Sequence, residues 1–133
     1  MPEVVFDKTV RDTLVSTSDD WLWLGGVVGI ARHWLTVYRS TEPVRDVVVR
    51  VVQDLFQRGL VEIGDLDTAG GFSRWDWSEA RVMEAAAGEW WADGEALSAE
   101  GERVWLSATD DGLRLGEYLI PEFNADVLRD PPR

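Results

Sequence analysis

Residue types able to carry chemistry are sparse in this chain: one histidine, one lysine and no cysteine among 133 residues. His33 stands beside Trp34 in a stretch of helical spacing, with no second histidine four residues away and no thiolate to complete a transition-metal site. It reads as a surface or satisfied core residue. The acidic pairs Asp19-Asp20 and Asp110-Asp111 sit where helices are expected to begin, and capping and the helix dipole account for both. The first pair could hold magnesium or calcium weakly, yet calcium-loop spacing is missing. Gly25-Gly26 and Gly70-Gly71 form neither a dinucleotide fingerprint nor a phosphate loop, and no lysine follows either pair. The serines and threonines have no histidine at an activating spacing. Twenty-five acids could bring some carboxylates within the reach that glycoside hydrolysis requires, but nothing selects a pair. Neither catalysis nor a cofactor is therefore expected.

What remains is recognition. The net charge of −12 is unevenly distributed. Residues 62–100 hold ten acids against Arg74 and Arg81, a balance of −8, whereas residues 1–61 hold eight acids and seven bases, a balance of −1. Such a field repels phosphate backbones and draws in basic partners. Four of the eight tryptophans, Trp75, Trp77, Trp90 and Trp91, fall in the same acidic stretch. Trp21, Trp23, Trp34 and Trp105 are assigned wholly or partly to the core. Adjacent helical residues point about 100° apart, so at least one of Trp90 and Trp91 is expected at the rim or surface. Exposed rings among carboxylates suit a protein interface, where rings supply area and acids supply orientation and on-rate. They would also suit a sugar. The expected contact residues are Asp65, Asp67, Trp75, Asp76, Trp77, Glu84 and Glu89.

The elements that must position them are read from periodicity. Residues 1–18 fit either a short strand or a loosely helical arm. Ser18 or Asp19 is expected to cap a helix reaching about Tyr38, with Leu24, Val27, Val28, Ala31, Trp34 and Leu35 on one face. Gly25, Gly26 and Gly29 within it mark a close crossing or a break. A second helix, capped by Thr41 with Pro43 in its first turn, carries Val44, Val47, Val48, Val51, Val52, Leu55 and Phe56 as one buried stripe and ends at Gly59. A strand over Leu60–Leu66 and a loop over Asp67–Ser73 follow. A third helix over Trp77–Trp91 opens on an Asp76-x-x-Glu79 capping box. A strand over Arg103–Ser107 leads into a last helix, capped by Thr109 and stopped by Pro121. Residues 124–133 are expected to form a disordered tail.

Two stretches, in order, resemble a winged-helix domain of small bacterial proteins. Residues 51–62, VVQDLFQRGLVE, resemble the end of a recognition helix entering the first wing strand. Residues 105–112, WLSATDDG, resemble the exit from the second wing strand into a helix. The departure is the intervening segment, far longer than an ordinary wing tip. The resemblance implies DNA binding through the second helix, with Arg45, Arg50, Gln53 and Arg58 as the reading and phosphate-contacting residues. Against that stand Asp46 and Asp54 on the same face and the acidic insertion beside it, because phosphate-driven binding needs a basic footprint.

The expectation is thus an α+β fold of winged-helix type, one domain over residues 1–123, with a helical insertion at 67–102 between the wing strands of a small antiparallel sheet. Its expected role is to bind a protein with a basic surface, as an immunity or antitoxin-like inhibitor of a toxin such as a nuclease. A winged-helix transcriptional regulator is the alternative. A homodimer is compatible with the valine-rich second helix. The absence of an apolar leader, of a membrane span and of cysteine points to the cytoplasm.

Overall fold

The structure, a computed structural model, describes residues 2–129. Among them five α-helices and four strands make an α+β fold, with the strands in one antiparallel sheet of spatial order Leu22–Trp23 (β1), Trp105–Ala108 (β4), Val61–Leu66 (β2) and Phe72–Arg74 (β3). Among the described residues no helix is long and apolar enough to cross a membrane.

The ambiguous first stretch is a helix, α1, Pro2–Asp19. Its inward face mixes Val5 and Leu14 with the buried Thr9, Thr13 and Thr17, and those hydroxyls hide the apolar stripe from a hydropathy pattern. Two of them return a hydrogen bond to their own helix, Thr9 Oγ1 to the Val5 carbonyl at 2.7 Å and Thr17 Oγ1 to the Leu14 carbonyl at 3.0 Å, which removes most of the cost of burying them. Asp19 and Asp20 therefore close a helix and do not open one.

The expected single helix to Tyr38 is divided. Strand β1, Leu22–Trp23, precedes helix α2, Leu24–Val37, whose N-cap Trp23 makes no side-chain capping bond. The break serves the sheet: Leu22 and Trp23 pair with Leu106 and Trp105 of strand β4, Trp105–Ala108. The Trp23 indole folds over Gly25, where a Cβ would collide with its ring, and donates to the Glu102 carbonyl at 3.0 Å. Trp21 and Trp23 are each 38% exposed, which corrects their assignment to the core.

Helix α3, Val44–Gln57, buries Val44, Val47, Val48, Val51, Val52 and Leu55 as the spacing requires. Its start differs from expectation. Pro43 occupies the N-cap, and the Val44 amide donates to a Glu95 carboxylate oxygen at 2.7 Å, so a residue 51 positions away does the work expected of Thr41. Gly59 ends the helix at φ 71°, a left-handed conformation that glycine adopts without a Cβ penalty.

Strand β2, Val61–Leu66, turns directly into a third strand, β3, Phe72–Arg74, where the sequence suggests loop. Asp67 makes that turn, its Oδ1 accepting from the amides of Ala69 and Gly71, both at 2.9 Å. Helix α4 covers Glu79–Ala87 only. Ser78, not Asp76, caps it, accepting from the Arg81 amide at 3.1 Å. The chain leaves the helix at Gly88, so Trp90 and Trp91 are not bound by helical directions and both turn inward, 1% and 7% exposed. This corrects the expectation that one of them reaches the surface.

Helix α5, Asp110–Arg129, passes through Pro121 and continues along part of the expected tail. Ion pairs to α1, described below, hold the turns beyond the proline. Residues 130–133 of that tail lie outside the described residues.

The two stretches that carry the family resemblance lock onto each other. The Thr109 amide donates to the Leu60 carbonyl at 3.1 Å, and its hydroxyl donates to the Gly59 carbonyl at 2.7 Å while accepting from the Gly112 amide at 3.1 Å. Gly112 lies so close that a Cβ there would run into the Leu60 carbonyl. Replacing Gly112 by Ala is expected to destabilise the protein by about 2–3 kcal/mol. The measurement is a urea titration beside Gly29→Ala, where an added Cβ meets nothing within 4 Å.

Candidate functional site

The insertion folds back on α3. Arg45 donates to the Ala87 carbonyl at 2.8 Å, and its guanidinium lies 5.5 Å from the Trp91 ring centre. Gln53 donates to the Met83 carbonyl at 3.0 Å, and Gln57 reaches a Glu79 carboxylate oxygen at 3.4 Å. With Glu95 on the α3 amide end, the segment after β3 is tied along most of that helix. Of the residues that the DNA resemblance singles out, Arg45 and Gln53 thus point into α4. Arg50 sits over the Phe6 ring at 4.5 Å, between Glu3 and Glu42, each at 3.7 Å. Arg58 pairs with Asp54 at 2.9 Å on its own helix. All four meet carbonyls or carboxylates of this chain.

The acidic and aromatic residues of the insertion are partly gathered. Trp75 and Trp77, both half-buried, stack with ring centres 4.5 Å apart, and the Arg81 guanidinium covers Trp77 at 4.1 Å. Together with Glu89, Trp90, Glu100 and Arg103 these two rings line a pocket of about 190 Å³. The indole nitrogen of the buried Trp90 has no hydrogen-bond partner among the described residues. Glu89 holds Arg81 through both carboxylate oxygens, at 2.9 and 3.0 Å. The hydrogen bonds that Arg81 donates to Glu89, set against a smaller opposing effect of desolvation, raise the Arg81 pKa above its ordinary value. Asp65 reaches the same neighbourhood through its 2.8 Å ion pair with Arg103.

Of the seven expected contact residues, Trp75, Trp77 and Glu89 therefore line one pocket and Asp65 adjoins it. Asp76, between the two rings, and Glu84, on α4, are exposed outside its lining. Asp67 is exposed at the β2–β3 turn, where its carboxylate organises backbone amides.

A second constellation is not among the sites expected from the sequence. Arg11 of α1, 3% exposed, donates through Nε to Asp12 at 2.8 Å and through Nη1 to Asp126 at 2.5 Å and Glu122 at 3.1 Å. Its Nη2 lies 2.8 Å from the same Asp12 oxygen as an ion-pair contact without hydrogen-bond alignment. Lys8 joins Asp126 at 2.6 Å, and the Trp34 indole donates to Asp12 at 2.8 Å. Burial works against the Arg11 charge, but the hydrogen bonds it donates to Asp126, Asp12 and Glu122 outweigh it and raise the pKa. For Asp126 desolvation acts upward, and the bonds from Lys8 and Arg11 prevail, holding its carboxyl below the ordinary aspartate value. Lysine, arginine and aspartate at positions 8, 11 and 12 share a helix face, and that spacing is the signal available. Their partners lie beyond Pro121, where the helix was expected to have stopped. His33, Gly26, Gly29, Ile30, Phe123 and Val127 complete the lining of an open cleft of about 540 Å³ above this cluster.

Comparison with protein-family models, with characterised proteins and with solved structures finds no match to this chain.

Arg45→Ala removes a carbonyl anchor and the cation over Trp91. Backbone amides of residues 79–97 are expected to exchange with deuterium at least severalfold faster, with residues 110–120 unchanged. Asp126 supplies a pH test. Its folded pKa is depressed, so its contribution is present above the unfolded value and lost as pH falls through the folded one. Melting temperatures of the wild type and Asp126→Asn should differ most near neutrality and converge as the pH drops below about 4. A gap of equal size at both ends would contradict the assignment.

Proposed function

We propose that this chain is a protein-binding module built on a winged-helix plan, in which the insertion covers the helix that would read DNA and substitutes an acidic, aromatic surface. The order α1-β1-α2-α3-β2-β4-α5, with β4 between β1 and β2, supports the architectural part of this reading. So does the clamp between Leu60 and Thr109, which joins the two stretches that resemble the family.

One observation carries the functional part: Arg45 and Gln53 donate to carbonyls of α4, so the polar face of α3 is used internally. What faces outward from the insertion includes Asp76, Glu79, Glu84, Glu89 and Glu100. Releasing counterions from DNA requires the opposite sign. A partner with a basic surface fits, and the half-buried Trp75–Trp77 stack offers an anchor pocket, where a basic side chain would meet Glu100. An inhibitor masking the cationic surface of a toxin such as a nuclease is the most concrete form.

A fluorescent lysine- and arginine-rich peptide is the probe, with anisotropy read at low and moderate salt. The wild type should bind most tightly at low salt. Trp75→Ala should weaken binding by about 2 kcal/mol, roughly thirtyfold, as expected for an aromatic anchor, and Glu84→Lys should weaken it severalfold. Duplex DNA should not be retarded in a low-salt gel. Peptide affinity unchanged by both substitutions, or DNA bound more tightly than peptide, would overturn the proposal.

A further inference from the structure

We propose that the open edge of β3 receives an extended segment of the basic partner as a fifth strand of the sheet, an inference that rests on the protein-binding reading above. Its seat is the main chain of Phe72–Arg74, beside the Trp75–Trp77 stack.

The hydrogen-bond pattern fixes which main-chain groups face outward. The Asp67 amide donates to the Gly71 carbonyl at 2.7 Å, and the Trp75 amide donates to the Ile63 carbonyl at 2.9 Å. In an antiparallel ladder every second pair is hydrogen-bonded. With Asp65 opposite Ser73, the residues turned toward β2 are therefore Gly71, Ser73 and Trp75. The N–H and C=O groups of Phe72 and Arg74 point away from the sheet. β2 is the only strand beside β3, and among the described residues no backbone group bonds to those outward groups. The register runs through without a bulge and no proline interrupts the strand, so two usual devices for closing a sheet edge are missing. Outward donors and acceptors in alternation match another extended backbone. At the opposite edge β1 is two residues long and passes straight into α2 at Leu24, which leaves no comparable run.

Side chains set the partner's sequence, because those of a strand alternate between the two faces. On one face Ser73 and Trp75 lie beside Asp65, and Trp75 opens into the pocket that Glu89 and Glu100 also line. On the other, Phe72 stacks on Trp21 with ring centres 6.3 Å apart, and Arg74 meets Glu62 at 3.8 Å. The bases at this edge are already matched: Arg74 by Glu62, Arg103 by Asp65 and Arg81 by Glu89. Asp67, Asp76 and Glu100 form no ion pair among the described residues. A basic side chain therefore suits the face of Trp75 and Glu100, and an apolar one suits the face of Phe72. The segment that fits alternates basic and apolar residues. Main-chain bonds at two residues hold a strand weakly, and the neighbouring rings supply the contact area that they lack.

A fluorescent peptide of alternating arginine and valine is the probe, titrated against the full chain at low salt by anisotropy. Two further peptides carry N-methyl groups, one on every valine and the other on every arginine. One set of amides faces β3 and the other faces solvent, so one methylated peptide should lose affinity about tenfold or more while the other binds like the parent. Arg74→Pro removes an outward donor and should weaken the parent peptide about tenfold more than Arg74→Ala, which keeps that donor. Saturating peptide should slow hydrogen exchange of the Phe72 and Arg74 amides in the wild type at least severalfold, read residue by residue by NMR, with Ser73 unchanged. The methylated peptides and the exchange measurement use the wild-type chain, so they decide the matter even where proline disturbs β3. Equal losses from both methylated sets, or bound peptide with those two amides unprotected, overturn the added strand. Binding that Trp75→Ala still weakens then leaves the surface reading standing, whereas failure of every peptide to bind overturns both.

Discussion

The fold depends on one return journey. Strand β4 must come back, after the whole insertion, into the gap between β1 and β2, where it pairs with both. The clamp of Thr109 on Gly59 and Leu60 fixes where that strand ends, and the Leu22–Leu106 and Ile63–Leu106 pairings fix its register. A shift of one residue would turn Leu106, fully buried, toward the opposite face. Both ends of the insertion are thereby held close together at the sheet, and the intervening chain must find cover nearby. The adjacent polar face of α3 is that cover.

Because Val82, Met83 and Leu97 are the only large aliphatic residues of the insertion, its attachment relies on specific polar contacts as well as burial. Val82, Ala85, Ala86, Trp90 and Trp91 join the core, while Arg45, Gln53 and Glu95 tie backbone groups across the α3–α4 boundary. The Glu95 carboxylate at the N-terminus of α3 satisfies an amide that no local residue caps, and a negative charge there is favourable to the helix dipole. Side chains suited to phosphate or base contact are thus turned to internal structure. The contacts that hold the insertion in place are the same ones that occupy the polar face of α3.

The sequence was most legible where a single local rule decides the outcome. The valine stripe of α3, the glycine stop at Gly59, and the alternation of Val61, Glu62 and Ile63 are found as read. It was least legible where distant residues decide. Glu95 displaces Thr41 as the source of the cap, the pairing with β4 breaks the helix expected across Trp21–Trp23, and the α1 ion pairs carry α5 past Pro121. Helix periodicity placed one of Trp90 and Trp91 outside, but the chain leaves the helix at Gly88, and both indoles reach the core. For the candidate surface, the acidic excess and the Trp75–Trp77 pair were readable. Their assembly with Glu89 and Arg103 was not, since it depends on how the loop after α4 returns. The α1–α5 cluster joins residues more than 100 positions apart, beyond any local pattern.

That cluster is a costly way to fasten two helices. Removing an arginine and its carboxylates from water carries a desolvation penalty that their attraction only partly recovers, and apolar residues of similar volume commonly hold such positions equally well or better. Loss of a single partner is far worse, because it strands an uncompensated charge. As a fastening, then, Arg11 with Asp12 and Asp126 has no clear advantage over leucine and methionine. What the charged version adds is a polar floor to an otherwise apolar cleft, held in fixed orientation by the Trp34 indole and by Lys8. The physical consequence of these charges is a fixed placement of α1 against α5, set by charge-assisted hydrogen bonds whose directions apolar packing would not impose.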